Sequence, residues 1–114
     1  MKIYNWQIGG HMDVVIYAKS SKAADMIEAF AKEKEMQVID TIINEDNLIE
    51  KLKWFIERER IQAVLINSSL EITTNKKELR DFLEFAANHN VSVNSKEYNW
   101  MSIRIEPWDG GFGC

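Results

Sequence analysis

The chain has 114 residues, 46% of them hydrophobic and 28% charged, with a formal net charge of −4. That is one domain's length with enough apolar residues for a core. The acidic excess argues against unaided tight binding to duplex DNA, because neutralised phosphates supply most of that affinity. The single cysteine, Cys114, excludes an intrachain disulfide and a cysteine-based metal site, and it misses the prenylation pattern. No apolar run reaches about 18 residues and no basic-then-apolar leader opens the chain, so a cytoplasmic protein without membrane contact is expected.

Residues 13–105 contain neither Gly nor Pro, which argues against an internal linker or second domain. The expected organisation is an extension over 1–12, one α/β domain over 13–106 and a tail over 107–114. Gly9-Gly-His-Met12 is similar to the join left by a cloning site, which would make residues 1–11 an addition. Against that, Lys2-Ile-Tyr-Asn-Trp6 echoes Lys96-Glu-Tyr-Asn-Trp100, and the two segments would suit paired strands.

Asp13-Val-Val-Ile-Tyr-Ala-Lys19 reads as a buried strand rich in β-branched residues. Ser20 or Ser21 then caps a helix whose apolar face is Ala23, Met26, Ile27, Phe30 and Ala31, with Glu28 and Lys32 as a favourable i, i+4 pair. Residues 38–43 form a second strand and Asn44-Glu-Asp-Asn47 a polar turn. A second helix follows, with Leu48, Ile49, Leu52, Phe55 and Ile56 on one face, ending near Arg60. Ala63-Val-Leu-Ile66 is a third strand. Asn75 and Glu78 form a capping box opening a helix striped by Leu79, Phe82, Leu83 and Ala86, and His89 suits the carbonyls at that helix's end. Residues 91–95 make a fourth strand, and the strict alternation of Met101-Ser-Ile-Arg-Ile-Glu106 suggests a fifth with one face wet.

Strands apolar on both faces, separated by helices, predict a three-layer α/β fold: a mainly parallel four- to five-stranded sheet with helices on both sides. No glycine loop for a dinucleotide or P-loop phosphate follows the first strand. Lys19-Ser20 and Asn67-Ser68 stand where a phosphoacceptor receiver domain needs carboxylates. With only His11 and His89, a Ser-His-Asp triad is unsupported. No cofactor and no metal site are expected. Trp54 falls off the apolar stripe of its helix, whereas Trp100 and Trp108 suit the covering of a sheet edge. Lys51, Lys53, Arg58 and Arg60, interleaved with Glu50, Glu57 and Glu59, read as a solvated, salt-bridged face.

Val15-Ile-Tyr-Ala-Lys-Ser-Ser21 resembles the opening strand of the serine recombinase (resolvase/invertase) catalytic domain, where tyrosine, any residue, arginine and an aliphatic residue lead into a nucleophilic serine. On that register Tyr17 matches, Lys19 stands for the arginine, Ser20 for the aliphatic residue and Ser21 for the nucleophile. The segment 61–72 takes the place of the family's third strand and its Leu-Asp-Arg-Leu-x-Arg motif, and 79–93 is similar to its next helix and strand. The resemblance thus spans about residues 13–97 and implies a resolvase-like fold and a serine-type DNA strand transferase. Its catalytic arginines are missing: Ser68 stands for the aspartate, Ser69 and Ile72 for the two arginines, and no arginine precedes Arg58. Losing even one such donor costs about 100–1000-fold in rate, and lysine lacks the bidentate fork. The family's long dimerisation helix and DNA-binding domain have no room here. The expectation is a pseudoenzyme of mobile-element ancestry that binds itself or a protein partner and touches DNA weakly. The alternatives are a residual recombinase using Ser21 with Lys19, and a flavodoxin-like domain unrelated to recombinases.

Overall fold

In a computed structural model, residues 12–103 are described. Strand β1 (Asp13–Ala18) leads to helix α1 (Ser21–Glu33), β2 (Gln37–Ile43), α2 (Leu48–Arg58), β3 (Ala63–Ile66), a 3-10 turn at Ser69–Glu71, α3 (Lys76–Asn88), β4 (Ser92–Ser95) and a second 3-10 turn at Lys96–Tyr98. The strands form one four-stranded, all-parallel sheet in the order β2-β1-β3-β4. The α/β class and the covered parallel sheet expected from the apolar strands are therefore present.

The layers follow from strand order. The chain steps from β1 outward to β2, returns past β1 to β3 and continues to β4. Crossovers of one hand then put the first helix on one face and the later helices on the other. On the α1 face, Val14, Ile16 and Ala18 of β1 and Ala63 and Leu65 of β3 pack against Ala24, Ile27 and Ala31. Opposite them, Val15, Tyr17, Val64, Ile66 and Val93 pack against Leu52, Phe55 and Ile56 of α2 and Phe82 and Ala86 of α3. Fully burying each large apolar side chain contributes about 1.5–3 kcal/mol, so both layers are needed. On α1, Ala24 takes the core position expected for Met26, which is 55% exposed. Glu28 does not depend on Lys32: its carboxylate accepts a 2.7 Å hydrogen bond from Thr41 Oγ1.

Both sheet edges are modified. Val14 pairs with Val38 and Val15 with Asp40, so Ile39 is an extra residue in a bulge on the outer strand β2. Beyond β4, Ser102 makes one antiparallel bridge with Asn94, and Ile103 N–H donates to Val93 O at 2.8 Å. The expected fifth strand is present only as that bridge, and its last residues, 104–106, lie outside the described residues. So do the proposed extension, apart from Met12, and the tail with Trp108. Trp100 covers the α1 face, stacked on Phe30 with ring centroids 4.3 Å apart.

Candidate functional site

In an all-parallel sheet every strand delivers its C-terminal end to the same rim, and ligands of open α/β sheets bind there, where strand order reverses. Here the reversal lies between β1 and β3. The rim therefore carries Lys19, Ser20 and Ser21 after β1, Asn67, Ser68 and Ser69 after β3, and Lys96 and Glu97 after β4.

Ser20 and Ser21 divide the roles that the sequence left open. Ser20 is the cap of α1, its Oγ accepting from Ala23 N–H at 3.2 Å. Ser21 is the first helical residue and, like Lys19, is exposed. The register that resembles a recombinase thus has its serine and lysine open on the expected rim.

Beside Lys19 and Lys96 the rim carries carboxylates, which have the wrong sign for a phosphate. Glu97 reaches across from β4 and fixes the turn after β3: Ser69 N–H donates to its Oε1 at 2.8 Å and Ser68 Oγ–H to its Oε2 at 3.3 Å. Ser68 Oγ also accepts from Leu70 N–H at 3.2 Å, closing the 3-10 turn. That turn carries Glu71, whose Oε1 is buried without a hydrogen-bond partner. Burial holds the Glu71 carboxyl above its usual range; Lys19 pulls it down and Glu97 pushes it further up. Lys19 is thus the cation whose field reaches that carboxylate. Below it, Tyr17 is 1% exposed. Burial raises its phenol, a hydrogen bond with the Glu45 backbone opposes this, and the charges of Glu71, Glu45 and Asp46 raise it further.

Next to the rim, between the N-terminal ends of α2 and α3, lies a cleft of about 460 Å³. Its walls include Asp46, Glu50, Glu78 and Asp81, with Lys53 as the single cation. No three His, Cys, Asp or Glu side chains among the described residues are grouped to hold a metal ion. No helix among them is long and apolar enough to cross a membrane.

The sequence reading missed Glu71 and Glu97. A signal for Glu97 existed: in a parallel sheet the residues following β3 and β4 must meet at one rim. Glu71 had only a weaker sign, a carboxylate set between Leu70 and Ile72. Ile72, placed in register with a catalytic arginine, is buried in the core. No protein-family model matches the chain, and no curated protein is significantly similar to it in sequence.

Proposed function

We propose that this chain is a catalytically degenerate, serine-recombinase-like domain that works in the cytoplasm as a protein-interaction or regulatory module of mobile-element ancestry. The observation that carries this reading is the acidic rim. Where phosphodiester chemistry needs clustered cations, the rim sets the carboxylates of Glu71 and Glu97 within the field of one another and, for Glu71, of Lys19, and the adjoining cleft carries four carboxylates against one lysine. Two like-charged carboxylates near a scissile phosphate oppose both binding and charge build-up in the transition state. Ser21, exposed at the end of β1 and opening α1, is what supports the ancestry.

The test is incubation of the full chain with a nicked duplex DNA across a salt series, followed by denaturing electrophoresis for a covalent adduct. No adduct and no salt-sensitive binding at micromolar protein is the expected result. An adduct that disappears in Ser21→Ala would overturn the proposal in favour of a residual recombinase using Ser21 and Lys19.

A further inference from the structure

Helix α2 buries Leu48, Leu52, Phe55 and Ile56 and turns Trp54 the other way, 47% exposed. At about 100° per residue, Trp54 lies about 145° from the centre of the buried stripe, on the solvent face. Tryptophan is the residue most enriched where protein interfaces concentrate their energy.

The charges around it are sorted. Glu50 and Glu57 lie about 40–60° to one side of Trp54, and Lys51 and Arg58 about 40–60° to the other. The salt-bridged face expected from the sequence is not formed. Among the described residues, the only carboxylate paired with any of the four cations is Glu45, 3.5 Å from Lys51. Lys53, about 100° round the helix from Trp54 on the side of Glu50 and Glu57, pairs with neither and lies over the Phe85 ring, 5.1 Å from its centroid. The helix therefore presents an indole flanked by an acidic edge and a basic edge. Beside the indole runs a groove of about 470 Å³ whose walls are Glu45, Asn47, Glu50, Lys51 and Phe55.

We infer that this face of α2 binds a second copy of the chain, with the two α2 helices side by side and parallel about a two-fold axis. The inference rests on the protein-interaction reading above and names its surface and partner. The charge pattern selects the orientation. A two-fold axis along the helices sets the acidic edge of one against the basic edge of the other, so Glu50 meets Lys51 and Glu57 meets Arg58 of the second copy. An antiparallel pairing would set Glu50 against Glu57 and Lys51 against Arg58, which like charges oppose. Trp54 meets its counterpart on the axis, and the groove beside it receives the second indole. The pair with Glu45 leaves Lys51 free donors for a second carboxylate. One helix face is a small interface, so the dimer is weak and concentration-dependent.

The experiment is sedimentation equilibrium of the full chain at low salt, from about 10 µM to 1 mM, a range suited to a small interface. A concentration-dependent dimer is expected. Trp54→Ala abolishes it while the circular dichroism spectrum stays that of the folded chain and the melting temperature loses its dependence on concentration, since the half-exposed indole meets the core only edge-on at Phe55, 5.1 Å between centroids. Glu57→Arg weakens it by roughly tenfold or more, and adding Arg58→Glu restores it. A monomer throughout, or a dimer indifferent to Trp54→Ala, overturns the inference. Tightening by Glu57→Arg overturns it too, because that is the signature of the antiparallel pairing. A monomer that also ignores DNA removes this dimer alone; a Ser21-dependent DNA adduct removes the functional reading whatever the mass.

Discussion

Ser20 and Ser21 are adjacent hydroxyls with different consequences, and stability measurements separate them. Ser20→Ala leaves an N-terminal amide of α1 without its acceptor and lowers unfolding free energy by about 1 kcal/mol. Ser21→Ala, on the exposed first turn, changes it by less than about 0.5 kcal/mol. Urea unfolding of both variants checks this, and the reverse ranking would make Ser21 the cap. Glu71 supplies a pH signature. Its carboxyl titrates above its usual value near 4.5 in the folded chain, chiefly through burial. The folded state therefore holds that proton more tightly than the unfolded one. The resulting stability is fully present below the unfolded value and lost as pH rises through the folded one. Glu71→Gln removes this loss: the variant gains about 0.5–1 kcal/mol on wild type at pH 7 and less at pH 4.5, read from urea midpoints at both. An equal gap at the two pH values would show that ionisation of Glu71 does not matter to folding.

The helices form from local pattern and end at some cost. The apolar stripes of α2 and α3 emerged from sequence spacing almost residue for residue, because three- and four-residue periodicity is a property of the chain itself. The box at the start of α3 was half legible. Asn75 Oδ1 does accept from Glu78 N–H at 3.0 Å, but the Glu78 carboxylate accepts from Thr73 Oγ1, which in turn accepts from Asn75 N–H. His89 Nδ1 lies 2.9 Å from Phe85 O, where the helix-end reading put it. At their C-terminal ends the helices pass through Glu35, Arg60 and Asn90 with φ of 61°, 55° and 60°. This is the left-handed region, where glycine is free of the Cβ penalty. Glu35→Gly and Arg60→Gly are each expected to raise stability by about 0.5 kcal/mol, the relief of that penalty exceeding the entropy that glycine adds to the unfolded chain. Thermal melts decide it, and a drop in both would show that the side chains matter more than the backbone.

For the whole molecule, sequence and tertiary structure contributed different things. The sequence by itself determined the alternation of strand and helix, the double-sided core and the parallel sheet. Burial on both faces demands unbroken apolar strands, and a parallel connection demands a crossover long enough for a helix. It also placed Lys19 and Ser21 at the end of β1, because that position is local. What only the tertiary structure decided was the company they keep. Glu71 and Glu97 belong to segments after β3 and β4, and they meet the end of β1 because strand order β2-β1-β3-β4 brings those ends to one rim. The same holds for Trp100, which reaches Phe30 of α1 across 70 residues of chain. It also holds for the charges of α2, which look paired when read along the sequence and are sorted to opposite edges once the buried stripe fixes the helix's rotation. A linear pattern specifies which side of an element faces inward. It cannot specify the sign of the field at a rim, which sums over residues that are distant in the chain and adjacent in space.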